Sequence, residues 1–337
     1  MIRAAIVGIG RWGRTLVAAV QGKSEAIRFT TGHTRTRANA EAFCAEHGIA
    51  LKDSLDEILA DRAVDAVVFA TPHSEHAAQV VHTAAAGKHV FMEKPFTLDH
   101  KGAERALEEV ARTGVALGVA YPRRFHPGMV ELKARIDDGR LGTIAHCYAE
   151  QNAPAGLFMA PESWRADAAE APAGGMTALG VHNLDALIHL FGTIDEVYAT
   201  SLRRVVRYDA EDTTSIMLGM SNGMSATLVC SLVTAVSYRL AAFGSKGCGE
   251  LLTPELDFHF TPTPAGMPTG RHAQPEPEII RNRGFNALLA ELEAFAAAAR
   301  GEAPYPIPPE QVLHGVAAFE AIVRSAATHQ AVRVVRD

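Results

Sequence analysis

Short runs of β-branched and other apolar residues alternate, through the first third of the chain, with stretches whose apolar positions recur every three or four residues. Residues 2–7 read as a strand, 12–21 as a helix and 26–31 as a second strand. A helix is expected over 37–47, a short one over 56–61, and a buried strand over 65–71 (D-A-V-V-F-A-T). Ser74 is placed to cap the next helix, which stops at Gly87. Strands at 88–92 and 115–120 flank a helix over 100–112. Strands separated by helices form parallel pairs with right-handed crossovers, so this part is an α/β, doubly wound parallel sheet.

The pattern changes at Tyr121-Pro122. A helix over 127–138 and a strand over 144–151 precede an irregular stretch rich in Ala, Pro and Gly that lasts to Gly175. One continuous helix is expected over 176–191. Strand-like runs then follow without intervening helices: 194–204, 213–220, 224–233, 239–244 and 249–252. Consecutive strands argue for a C-terminal α+β domain with an open, mostly antiparallel sheet. Residues 261–277, heavy in Pro, Thr and Gly, read as a loop, and helices over 286–300 and 309–329 end the chain. The domain division expected is 1–122 and 123–337.

The glycines give the first domain its chemistry. Gly8-Ile9-Gly10-Arg11-Trp12-Gly13 is G-x-G-x-x-G directly after a strand and before a helix, the order a dinucleotide-binding Rossmann turn requires. Gly8 permits the tight turn, Gly10 lets the backbone approach the pyrophosphate, and Gly13 lets helix and strand pack closely. Free N–H groups and a partial positive charge at the helix start then receive the anion. An acid about 20 residues further on would bind the ribose diol of NAD. Here Gly32-His33-Thr34-Arg35-Thr36-Arg37 holds none, and Thr34 and Arg35 suit a 2′-phosphate, so NADP is favoured over NAD. The competing account is that Arg35 and Arg37 are solvated residues at a helix start.

Composition narrows the rest. A formal charge of −6 argues against a nucleic-acid scaffold, and no apolar stretch approaches the roughly 20 residues that cross a bilayer. Four scattered cysteines form no C-x-x-C pair, and the chain opens on a strand pattern with no basic, apolar leader. A cytoplasmic protein with reduced, structural thiols is expected. His73, Glu75 and His76 are polar enough to raise a metal, but no third ligand of sensible geometry accompanies them, so no metal is expected.

Two further motifs, Thr71-Pro72-His73-Ser74-Glu75-His76 and Glu93-Lys94-Pro95, occupy the ends of Rossmann strands. The second half adds Arg124-Phe125-His126-Pro127, Ser163-Trp164-Arg165, and Gly174-Gly175 followed by Gly180-Val181-His182-Asn183-Leu184-Asp185. Together with the glycine turn, these resemble the Gfo/Idh/MocA oxidoreductases (glucose-fructose oxidoreductase, inositol dehydrogenase, rhizopine catabolism) over essentially the whole chain. The resemblance implies a second domain that binds substrate and forms a homodimer or homotetramer through its sheet. It implies a sugar, polyol or related small molecule as substrate, with Lys94 beside the nicotinamide. Thr71, Pro72, His76 and Glu93 would lie along the cofactor.

The residues themselves agree on Lys94. Strand C-terminal ends of a doubly wound sheet face the ligand crevice, and a Lys held there next to a cationic nicotinamide would have its pKa depressed toward proton exchange. On a helix from Met176, His182, Asp185 and His189 share one polar face beside an apolar arc of Val181, Leu184, Leu187, Ile188 and Phe191. His182 is the second catalytic candidate. Arg123, Arg124, Trp164 and Arg165, in loops that could border the crevice, and Asp185 are candidates for substrate contact; an Arg there would meet a carboxylate or sugar hydroxyl, or pair with an acid of the fold. Polyol-oxidising relatives carry an Asp four residues before this His, where Ala178 stands here. That departure leaves Lys94 as the main acid/base group. It also leaves open a nucleotide-sensing regulator of the same fold, or a dehydrogenase of a non-sugar such as a dihydrodiol.

Overall fold

The computed structural model describes residues 1–253, 255–266 and 275–335. Its first elements are β1 (Ile2–Val7), α1 (Arg11–Val20), β2 (Ile27–His33), α2 (Glu41–Glu46), β3 (Ala50–Leu51), α3 (Leu55–Ala60), β4 (Ala66–Phe69), α4 (His76–Ala85), β5 (His89–Met92), α5 (His100–Thr113) and β6 (Leu117–Val119). These strands pair in parallel in the order β3-β2-β1-β4-β5-β6. Strand β4 is buried at every position, as a central strand covered on both faces must be, which is why its sequence is an unbroken apolar run. Helix α5 is bounded by chemistry: Asp99 accepts from Gly102 N–H at its start, and Gly114, at φ 70°, ends it in the left-handed conformation.

The remaining elements are α6 (Pro127–Asp137), β7 (Ile144–Asn152), α7 (Val181–Phe191), β8 (Ile194–Leu202), β9 (Thr213–Met220), β10 (Ser225–Ser231), β11 (Ser237–Gly244), β12 (Gly247–Leu252), β13 (Asp257–Pro262), β14 (Glu278–Ile280), α8 (Ala287–Ala299), α9 (Pro309–Thr328) and β15 (Val332–Arg333). Nine strands form one sheet in the order β14-β13-β12-β11-β7-β10-β9-β8-β15, antiparallel throughout except between β7 and β10. Burial alternates along β9, so one face of the sheet is covered and the other open. The open side carries Tyr198, Met217 and Phe243, large apolar residues that are 41%, 64% and 37% exposed.

Several expectations change. The helix over 37–47 is a 3₁₀ turn (Arg37–Asn39) followed by the short α2. Ser74 does not cap: it lies inside a second 3₁₀ turn (His73–Glu75) that begins at Pro72, and α4 starts only at His76. The continuous helix from Met176 is a wide π-type turn (Met176–Gly180) leading into α7. Strands β3, β13, β14 and β15 are additions; β13 takes the first two residues of the expected loop and β14 starts just after it, and the loop's residues 267–274 lie outside the described ones.

The chain divides into two compact units, one of residues 1–122 with 286–316 and one of residues 123–285 with the chain from Ala317 on. The reason lies in α8, whose Leu292, Phe295 and Ala296 complete the apolar core formed by Ile6, Leu16, Ile27, Phe29 and Phe91. The rings of Phe91 and Phe295 meet edge to face, centroids 5.4 Å apart.

Candidate active site

In the first unit, β1 delivers the chain to Gly8, whose φ of 92° is a left-handed turn conformation, and α1 begins three residues later. A Cβ on Gly8 would lie 2.7 Å from the Ala70 carbonyl carbon, so β4 approaches this turn too closely for any side chain. Gly10 caps α1 with no side-chain hydrogen bond, which leaves the first amides of the helix without an intramolecular side-chain acceptor. A Cβ built on Gly10 meets nothing within 4 Å. A bare helix start facing open space is the cradle that a pyrophosphate fills, so the residues present fit a dinucleotide.

Strand β2 runs beside β1, and Gly8 N–H donates to the His33 carbonyl at 2.9 Å, which sets Thr34 and Arg35 next to the glycine turn. Thr34 is half-buried and Arg35 exposed. Arg37 is occupied by Asp53 at 2.5 Å and Glu41 at 3.5 Å. No carboxylate pairs with Arg35 among the described residues.

The E-K-P and T-P segments are tied to this turn. The Trp12 indole N–H donates to a Glu93 carboxylate oxygen, and the other oxygen of Glu93 accepts from Lys94 N–H at 3.3 Å. Glu93 is thus a buried clamp between the glycine turn and the segment that carries Lys94. His76 braces the neighbouring backbone. It is fully buried, and its ring bridges the carbonyls of Pro95 at 2.8 Å and Thr71 at 3.3 Å. The Thr71 hydroxyl donates to Gln79 at 2.6 Å, and the Lys94–Pro95 peptide is cis. Lys94 itself is half-buried at the end of β5.

In the second unit, α7 presents His182, half-buried, one turn before Asp185. Asp185 is 6% exposed and held by the fork of Arg124, with Nη2–Oδ1 at 2.6 Å and Nε–Oδ2 at 2.9 Å. The two groups pair with each other, the expected alternative for an Arg at this place, because the fork engages both carboxylate oxygens. Burial raises the Asp185 carboxyl above its ordinary range, against the pull of Arg124. His189, one turn further on, lies 3.4 Å from Arg124 Nη1, and burial together with that cation pushes its pKa down to about 4.

Trp164 and Arg165 sit in a 3₁₀ turn with the guanidinium over the adjacent indole, 4.0 Å from its centroid. Gln79, which accepts from the Thr71 hydroxyl, had no motif to announce it; only the fold brings it to Thr71. Among the described residues no cluster of three or more His, Cys, Asp or Glu side chains could hold a metal ion, and no helix is long and apolar enough to cross a membrane.

A Rossmann sheet with an open glycine turn, a lysine at the end of its fifth strand, and a second unit built on a large open sheet define a dinucleotide-binding oxidoreductase. The family model described as the oxidoreductase family with NAD-binding Rossmann fold matches residues 2–121, and the GFO/IDH/MocA C-terminal domain model matches 129–250; the chain belongs to the Gfo/Idh/MocA family. It is similar to inositol 2-dehydrogenase of Rhizobium meliloti (strain 1021), 27% identical over 344 residues that cover 99% of each chain. Trans-1,2-dihydrobenzene-1,2-diol dehydrogenase of Oryctolagus cuniculus is 27% identical over 216 residues, 65% of this chain and 64% of that protein. An oxidoreductase from Desulfitobacterium hafniense DCB-2 superposes with a TM-score of 0.89 over 99% of this chain and 97% of that one, at 23% identity.

Proposed function

We propose that the protein catalyses reversible, NADP(H)-linked hydride transfer at a carbinol carbon of a sugar, polyol or related small molecule. The observation that carries the reading is the uncapped start of α1 behind Gly10, with Lys94 tied to the same turn through Glu93 and Trp12. Amides of the glycine turn, Gly8 to Gly13, would hold the pyrophosphate, with Thr71 and Pro72 further along the cofactor. Arg35, whose charge no carboxylate neutralises among the described residues, and Thr34 favour a 2′-phosphate and hence NADP over NAD. When bound, the nicotinamide supplies the hydride acceptor or donor.

The chain's own groups do the rest. Lys94 Nζ exchanges the proton of the substrate hydroxyl and stabilises the alkoxide charge. In the second unit His182 is the group proposed to hold a substrate hydroxyl, and the Arg124–Asp185 pair fixes the stretch of α7 that carries it. The relatives named above act on an inositol and on a dihydrodiol, both vicinal carbinols, which supports a polyol-like substrate. The reading also takes the open face around Tyr198, Met217 and Phe243 as the surface of a homodimer or homotetramer, and the four unpaired thiols as those of a cytoplasmic protein.

Titration calorimetry with NADPH and NADH, followed by a screen of alcohols and carbonyls read by cofactor absorbance, tests the proposal. NADPH should bind more tightly, and Lys94→Ala should lower turnover by about 10²–10⁴-fold while leaving cofactor binding in place. A clear NADH preference overturns the role of Thr34 and Arg35. Tight cofactor binding with no turnover of any class moves the protein to the sensing reading.

A further inference from the structure

Two adjacent arginines, Arg123 and Arg124, enter the second unit side by side, and their surroundings differ. Arg124 is bracketed with Asp185, so its charge is compensated inside the protein. Arg123 has no such partner. Its guanidinium lies over the ring of Tyr238, 4.2 Å from the centroid, and its Nη1 donates to the side-chain oxygen of Gln151 at 2.7 Å. Neither neighbour carries a negative charge, and no carboxylate pairs with Arg123 among the described residues. The cluster therefore holds two guanidinium groups, one carboxylate and His189, which burial keeps neutral near pH 7: an excess of one positive charge.

The excess sits in a poorly hydrated place. Burial is the leading influence on Arg123 and pulls its pKa below the ordinary guanidinium value, although a guanidinium remains protonated at any physiological pH. Tyr238 is only 4% exposed. An uncompensated cation in such surroundings costs free energy, whereas amides and hydroxyls alone would line a site for a neutral polyol more cheaply. Tyr238 supports one face of the guanidinium and Gln151 fixes its rotation. Beyond Gln151 and the neutral Tyr238 the guanidinium meets no carboxylate partner among the described residues, and its planar fork matches one. Asp185 is close enough for Arg123 to feel its charge, and it lies one turn from His182 on α7.

We propose that Arg123, seated on Tyr238 and Gln151, is a carboxylate-binding subsite, and that the substrate is an anionic sugar derivative of the aldonate or uronate kind rather than a neutral polyol. The inference rests on the oxidoreductase reading above. A phosphate ester is disfavoured, because a dianion is normally gathered by more than one unmatched cation and the neighbouring Arg124 is already taken.

The test is calorimetric titration of the full chain, saturated with NADPH, with matched probes: D-glucose against D-glucuronate and D-gluconate, D-galactose against D-galacturonate, and D-glucose 6-phosphate. At least one acid should bind about tenfold more tightly than its neutral counterpart, and the contrast should shrink as salt rises. Arg123→Gln should abolish the contrast while NADPH affinity stays within about twofold, and Arg123→Lys, which keeps the charge without the fork, should retain only part of it. The wild-type comparison of acid with neutral sugar stands even if a variant folds poorly. The inference is overturned if no pair favours the acid, if Arg123→Gln keeps the preference, or if the phosphate ester binds best. Failure of NADPH to bind would instead remove the oxidoreductase reading itself. NADPH binding with turnover of a neutral polyol and no affinity for acids removes the carboxylate subsite alone.

Discussion

Replacing Gly10 with alanine should separate holding the dinucleotide from holding the fold. The backbone of Gly10 (φ −81°, ψ −166°) is extended and open to any residue, and the added methyl would meet nothing within 4 Å. The structural penalty is then confined to a poorer helix cap, about 0.5–1 kcal/mol, and a fall in Tm of about 2–4 °C. The same methyl occupies the space in front of the α1 amides, where a pyrophosphate must come within hydrogen-bond reach. Losing one such bond to a charged group is worth about 1.5–3 kcal/mol, so NADPH should bind about 10- to 100-fold more weakly. Gly13→Ala is the control of opposite sign. Its Cβ would lie 3.1 Å from the Gly8 carbonyl carbon and closer still to its oxygen, so β1 and α1 must separate and the protein should melt well below wild type. Calorimetry for affinity and differential scanning fluorimetry for stability, run in one buffer, report both quantities. If Gly10→Ala binds NADPH as tightly as wild type, or unfolds as readily as Gly13→Ala, the open space at Gly10 is not where the phosphates sit.

Removing one partner of the buried Arg124–Asp185 pair, as in Asp185→Asn, should cost about 3–5 kcal/mol, measured by urea unfolding; a change below about 1 kcal/mol would mean the fork is dispensable. His189 has a folded pKa of about 4 against 6.5 ordinarily, so the unfolded chain binds its proton first as pH falls. Stability is therefore complete above about pH 6.5 and lost progressively down to about pH 4, by about 2–3 kcal/mol from this group, and His189→Gln should flatten the slope in that window. Phe295→Ala should destabilise the dinucleotide-binding unit by about 3–5 kcal/mol although it lies far along the chain from the glycine turn; unchanged melting would contradict the shared core. Trp12 fluorescence should respond to NADPH, and in Glu93→Gln the response should weaken because the indole loses its charged acceptor.

What was legible in the sequence was local. The alternation of buried four- to six-residue runs with helices announced the parallel sheet, and the glycine turn announced the anion seat, because both depend on neighbouring residues. The wide turn before α7 left no mark, since the spacing of apolar residues is nearly the same for an α- and a π-type turn over five residues. Strands of two or three residues, such as β3 and β15, are too short for alternation to register. The site's side-chain pairs were the least visible. His182, Asp185 and His189 do share a stretch of helix, but whether Asp185 faces a ligand or an arginine is decided by a residue 61 positions earlier. The two arginines of P-R-R-F look equivalent as letters; only the strands that supply Gln151 and Tyr238 make one compensated and the other not.

The placement of α8 bears on synthesis as well as on packing. Leu292, Phe295 and Ala296 close a core whose other members are made in the first 120 residues, so a ribosome has completed most of the polypeptide before the nucleotide-binding unit can be sealed. Until then its apolar surface stays open to chaperones or to other nascent chains, and a fragment ending at Pro122 should collect in inclusion bodies rather than in the soluble fraction.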